Sequence, residues 1–195
     1  MSRVLVAAAI AAAALAGGPG AAHAAAVRIA LAPGTATRAE LAAPSGARAA
    51  AAPGTASRRL RAAPGTVLAV TAGGRSLRLR VGRAARQTWI VAGPPDAPRV
   101  IALADPARAS AGPRQVRVVD ATAGLARAAV KIHRGAQPAA PLHEGRATAY
   151  LAAPVAPALC RGLAVLDVRA GDRMLGLPRL GLAEPSSTAV VYRYD

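Results

Sequence analysis

Glycine and proline are spread along the whole chain, 19 and 16 of 195 residues, and this punctuation limits the fold more than any other feature. Both residues break helices, so a coiled coil or a long-helix protein is excluded. What remains is short segments separated by turns. Their apolar filling is unusual, because 56 residues are Ala while the chain has no Phe, one Trp and three Tyr. A core must therefore be built from Val, Leu and Ile.

The segment 1–24 reads as a cleaved signal peptide. Met1-Ser2-Arg3 supplies a positive start, Val4 to Ala16 is an apolar run, and Ala22-His23-Ala24 has the small-x-small form of a cleavage site. Such a run is too short to span a bilayer. The expected product is an exported, periplasmic chain beginning near Ala25, with no membrane span. The single Cys160 rules out an internal disulfide and reads as a small buried hydrophobe rather than a reactive thiol.

Beyond the leader, the pattern is β throughout, and it occurs twice. Ser76-Leu77-Arg78-Leu79-Arg80-Val81 alternates strictly, as a half-buried strand does. Val67-Leu68-Ala69-Val70-Thr71 leads into it through Ala72-Gly73-Gly74-Arg75, a hairpin signal because glycine supplies the positive φ of a tight turn. In the second half Leu163–Arg169 runs through Ala170-Gly171-Asp172 into Arg173–Leu177 in the same way. Val27-Arg28-Ile29 and Val116-Arg117-Val118-Val119 open the two halves, each followed by an Ala/Thr/Gly turn (32–35 and 121–124). Gln87–Val91 and Ser187–Tyr192 close them.

These features predict an all-β protein of two tandem small antiparallel β-sandwich (Ig-like) domains, 25–105 and 114–195, joined by a Pro-bounded linker, 106–113. Ala-Pro-Gly-Thr recurs at 32–35, 52–55 and 63–66, and Pro-Gly is the natural centre of a type II turn. Segment 42–58 is poor in large apolar residues and predicts loops or a weak edge strand.

A search for chemistry yields no catalytic, cofactor-binding or metal-binding residue. His133 and His143 are the only histidines after the leader, and their surroundings lack metal-ligand spacing. His143-Glu144 is a His-carboxylate neighbour pair, but it sits in the turn Pro141–Gly145 and reads as a solvated loop. Ser45, Ser57, Ser76, Ser110, Ser186 and Ser187 have no Gly-x-Ser-x-Gly or Gly-Asp-Ser context. Gly171-Asp172-Arg173 has Arg where a nucleophile would stand. No Gly-x-Gly-x-x-Gly opens a helix, so no dinucleotide cofactor is expected.

The formal net charge of +16 raises the question of nucleic acid. The export signal, the scarcity of stacking aromatics and the even spread of Arg argue against it. Arg78 and Arg80 on one strand face, and Arg58, Arg59 and Arg61 close together, read either as a solvated surface or as a docking face for an anionic polysaccharide or acidic protein.

The Val-Arg-Ile opening strand, the Pro-Gly-Thr and Gly-Gly turns, the Thr-Trp-Ile-Val closing strand, the passage Pro98–Pro106 and the Gln115–Thr122 opening of a second domain together resemble the alginate O-acetylation protein AlgF family. That resemblance implies a periplasmic, non-catalytic accessory protein of two β-sandwiches, an adaptor among the proteins of an exopolysaccharide acetylation machinery. The heavy Ala/Arg composition and the absent Phe depart from the family. An exported tandem-sandwich module that binds a surface or matrix fits the same sequence features, and a small exported hydrolase is a third class.

Overall fold

A computed structural model describes residues 3–10, 24–105, 115–121, 128–133, 137–152, 163–176, 179–181 and 186–194. The chain is all-β, and it divides into two compact units: Ala13–Ala107, and Met1–Ala12 with Arg108–Asp195. The expected linker 106–113 and the turn residues 122–124 lie outside the described residues. Among those described, no helix is long and apolar enough to cross a membrane.

The unit Ala13–Ala107 holds eight described strands: β2 (Ala25–Leu31), β3 (Ala39–Ala42), β4 (Arg48–Ala51), β5 (Leu60–Ala62), β6 (Val67–Ala72), β7 (Arg75–Arg80), β8 (Arg86–Ala92) and β9 (Arg99–Ala104). They form two four-stranded sheets, ordered β5-β2-β8-β9 and β4-β3-β6-β7. Val27, Ile29, Leu31, Trp89 and Val91 of the first sheet pack with Leu41, Leu68 and Val70 of the second in one buried cluster. This is a sandwich core, with β-branched and Leu side chains supplying most of its volume, as the composition requires.

The sheets are mostly antiparallel, as expected, with one exception at the centre, where β2 and β8 pair in parallel from Ala26↔Arg86 to Leu31↔Val91. Parallel neighbours need a long crossover. Residues between them supply it by building the opposite sheet before β8 returns. Segment 42–58 contains a short strand, β4, at the sheet edge, consistent with its poverty in large apolar residues. The Ala-Pro-Gly-Thr segments form turns, with Gly34, Gly54 and Gly65 at φ 82°, 74° and 89°.

The β6-β7 hairpin pairs in register from Val67↔Arg80 to Ala72↔Arg75. Gly73 and Gly74 have φ of 55° and 75°, as a two-residue primed turn demands. They differ in surroundings: a Cβ on Gly73 would collide with the Pro95 carbonyl oxygen, whereas one on Gly74 meets open space. Gly73→Ala should therefore cost more than the ~1–3 kcal/mol of backbone strain alone, and Gly74→Ala about 1–2 kcal/mol. Paired thermal melts of the two variants measure the gap; equal losses would contradict the close approach.

The other unit repeats the plan with β10 (Gln115–Asp120), β11 (Ala128–Ile132), β12 (Ala140–Pro141), β13 (Leu151–Ala152), β14 (Leu163–Ala170), β15 (Arg173–Gly176), β16 (Arg179–Gly181) and β17 (Ser186–Tyr194). One sheet is ordered β12-β11-β14-β15, with β16 also pairing β14. The other is β1-β17-β10-β13, where β1 is Arg3–Ile10, from the leader segment. Val116, Val118, Val130, Ile132, Leu166, Val168, Ala189 and Val191 form its buried cluster. Again the opening and closing strands, β10 and β17, are parallel.

Candidate functional site

The repeat extends to individual hydrogen bonds. In the first sandwich the Ser57 hydroxyl accepts from the Ile29 N–H (3.1 Å) and donates to the Arg58 carbonyl (2.7 Å). In the second, the Thr148 hydroxyl accepts from the Val118 N–H (3.0 Å) and donates to the Ala149 carbonyl (2.7 Å). The Gly54 N–H donates to the Leu31 carbonyl at 2.8 Å, and the Gly145 N–H to the Asp120 carbonyl at 2.9 Å. The turn bearing His143 and Glu144 is thus the structural counterpart of the Ala52–Thr55 turn.

A buried Arg-Thr pair crosses the parallel strands of each unit. Arg28 Nε donates to Thr88 Oγ1 at 3.0 Å, and Arg117 Nε donates to Thr188 Oγ1 at 3.0 Å. Both arginines are 5% exposed. In the first unit the pair extends into a network. Thr88 Oγ1 donates to Asp105 Oδ2 (2.7 Å), and Arg59 Nη2 donates to the same oxygen (2.8 Å). Arg59 Nη1 also donates to the carbonyls of Ala26 and Gln87, at 3.1 and 3.0 Å.

In the second unit, the position corresponding to Arg59, one residue before the paired Leu, belongs to Tyr150, and the Arg117 guanidinium lies 5.3 Å from its ring centroid, an arrangement that favours cation–π attraction. The repeated Val-Arg opening strands are visible in the sequence, but the Arg28–Thr88 and Arg117–Thr188 pairings are not. The available signal is a charged residue flanked by apolar ones at the same place in two opening segments, Val27-Arg28-Ile29 and Val116-Arg117-Val118.

The basic residues separate by role. Arg58 and Arg61 are exposed, while Arg59 is turned inward onto Asp105, with side chains 10% and 7% exposed. The grouping of Arg58, Arg59 and Arg61 as one surface cluster is therefore corrected, because a guanidinium in a buried ion pair is not available to a partner. Arg75, Arg78 and Arg80 are exposed along β7. Beside Arg78, a shallow groove of about 340 Å³ is lined by Ala42, Ala43, Pro44, Val67 and Ala69, and Val67 is 40% exposed.

Among the other sequence candidates, His143 and Glu144 are exposed, His133 is half-buried at the end of β11, Ser45 and Ser76 are exposed, and Ser57 is buried in its backbone clamp. Ser186 and Ser187 open β17. Ser110 and Cys160 lie outside the described residues. Among the described residues, no hydrogen bond joins any of the named serines to either histidine. Among the described residues, no group of three or more His, Cys, Asp or Glu could hold a metal ion.

Glu40 bonds to Arg48 Nη1 at 2.9 Å, but Arg48 is 72% exposed. Screening by solvent limits such a pair to about 0–1 kcal/mol, so Arg48→Ala should leave the melting temperature within a few degrees. A larger loss would show that the β3-β4 edge depends on this contact.

No protein-family model matches the chain, and no curated protein matches it at a significant level.

Proposed function

We propose that this chain is an exported, non-catalytic adaptor of the periplasm, required for O-acetylation of an exopolysaccharide such as alginate. The observation that supports the reading best is how its polar side chains are used. Ser57, Thr148, Thr88 and Thr188 each bond to backbone or to a buried Arg, so within each unit these hydroxyls brace the same scaffold. Exposed features are a row of arginines on β7 and the apolar groove beside it. Such a surface suits protein partners of an acetylation machinery, with apolar contact for affinity and Arg for steering.

Deletion of the gene should leave polymer synthesis roughly intact while ester-linked acetate on the polymer falls sharply, because modification is separate from polymerisation. Protein partners should stay bound to the tagged mature chain at moderate salt, whereas polymer held only by exposed charge should elute, since screening acts over about 10 Å at 0.1 M. Unchanged acetate would dispose of the adaptor reading.

The Arg78/Arg80 row also supports a second reading, an exported tandem-sandwich module that binds an anionic surface or matrix. In that case Arg78→Ser with Arg80→Ser abolishes retention on immobilised alginate, while acetate on the polymer is unaffected by gene deletion.

A further inference from the structure

The two units differ in where one strand comes from. In the first, β8 lies between parallel β2 and antiparallel β9, which follows it in the chain. In the second, β17 lies between parallel β10 and antiparallel β1. Arg28↔Thr88 and Arg117↔Thr188 are equivalent pairs in the two registers, so β1 occupies the slot that β9 fills in the first unit. By register, the apolar Val6 and Ile10 of β1 stand where Val100 and Leu103 of β9 do. Yet β1 belongs to the segment expected to be cleaved, whereas β9 is part of the mature domain.

Removing residues 1–24 strips β17 of that neighbour. Thr188, Ala189, Val190 and Val191 are all at most 5% exposed, so the strand is buried on alternating faces and offers a long backbone edge. An open edge of this kind is a template for another strand, because its N–H and C=O groups need partners.

We propose that the outer edge of β17 in the mature protein accepts an extended segment of a partner protein, antiparallel to β17, apolar like β9 and carrying an acid at its carboxyl end. The acid follows from the first unit, where β9 runs into Asp105, which receives the Thr88 hydroxyl and Arg59. Thr188 and Arg117 hold the equivalent places of Thr88 and Arg28, and Tyr150 that of Arg59, so the Thr188 hydroxyl is the donor an incoming acid would meet. Charge selects the class of partner as well. Loss of Arg3 takes the chain from +16 to +15, so a second copy is repelled and an acidic segment is attracted. The mode is strand addition, in which main-chain bonds give affinity and side-chain pattern gives specificity. The proposal rests on the export reading above.

The test uses the protein 25–195 and a capped synthetic peptide with the sequence of residues 99–105, Arg-Val-Ile-Ala-Leu-Ala-Asp. Saturable binding is expected, with slowed amide exchange across residues 186–194. N-methylation of alternate peptide residues, chosen to face β17, should abolish binding, and Asp to Asn at the peptide's end should weaken it about tenfold. If 25–195 does not fold, the full chain carrying Leu5→Pro with Val6→Pro serves instead, because adjacent strand residues direct their amides to opposite edges and one proline must break the β1 ladder. No binding, or protection that avoids 186–194, overturns the proposal; binding unaffected by the terminal Asn overturns its acidic part.

Amino-terminal sequencing of exported protein separates the two ideas. A start near Ala25 with an inert β17 edge defeats strand acceptance alone. An intact Met1 defeats the export reading, and with it the vacated slot.

Discussion

Asp105→Ala should cost the first unit about 3–5 kcal/mol, the cost of breaking a buried ion pair and leaving one partner charged. The carboxylate is 7% exposed and its Arg59 partner 10%. Removing it leaves the Arg59 guanidinium with the Ala26 and Gln87 carbonyls but without its counter-charge, its Nε having no hydrogen-bond partner among the described residues, and takes away the acceptor of the Thr88 hydroxyl. Trp89 is the chain's one tryptophan and lies in the core of this unit, so its fluorescence reports that unit selectively during urea unfolding. The midpoint should fall with an unchanged slope. Asp105→Asn, which keeps an acceptor oxygen, should lose less. Arg59→Met combined with Asp105→Leu should recover most of the loss, because well-packed apolar pairs often match or exceed buried ion pairs. If the Ala variant unfolded at the wild-type midpoint, the Arg28-Thr88-Asp105-Arg59 network would have no structural weight.

Trp89→Ala should be comparably damaging, about 3–5 kcal/mol from lost burial and the cavity left behind. The ring is 1% exposed, and its Nε1 donates to Gln87 Oε1 at 3.2 Å. Gln87 in turn fixes the loop before β8, with Nε2 donating to the carbonyls of Gly82 and Ala84 at 2.9 and 3.1 Å. The mutation therefore empties the core and releases a loop together. Trp89→Phe keeps most of the volume and loses the N–H, so its loss should be clearly smaller. With the fluorophore gone, circular dichroism melts and amide exchange in β2 and β8 supply the readout. Exchange should accelerate in the first unit and stay unchanged in the second, whose core is built on Ala189 at the equivalent strand position. Uniform acceleration in both would indicate that they unfold as one body.

Much of the fold was legible because strand periodicity and turn chemistry are local. The Ser76–Val81 alternation placed β7, and Gly73-Gly74 and Gly171-Asp172 placed both hairpins, since a positive φ is a property of the residue itself. The passage 98–106 takes part in the resemblance to AlgF proteins without reading as a strand. An edge strand with two alanines, reached through the Pro-rich loop Gly93–Pro98 rather than a tight Gly-Gly turn, carries little periodic signal, and β9 exists because β8 offers it an edge.

For the candidate surface, exposure of Arg78 and Arg80 followed from alternation alone. The inward turn of Arg59 did not, because its partner Asp105 lies far along the chain and only the β5-β2-β8-β9 order brings the two side chains together. The same limit hid the Arg-Thr pairs, each of which joins the first strand of a unit to a late one.

All-β architecture, an aliphatic core and a duplicated construction can be read from local pattern, since spacing, composition and turn residues act within a few neighbours. Parallel pairing of the opening and closing strands, burial of one of three clustered arginines, and the filling of the β9 slot by β1 in the other unit emerge with the assembled sheets. Those outcomes depend on which strand edges meet, and pairing between distant segments is fixed by the assembled sheet rather than by any local preference of the residues.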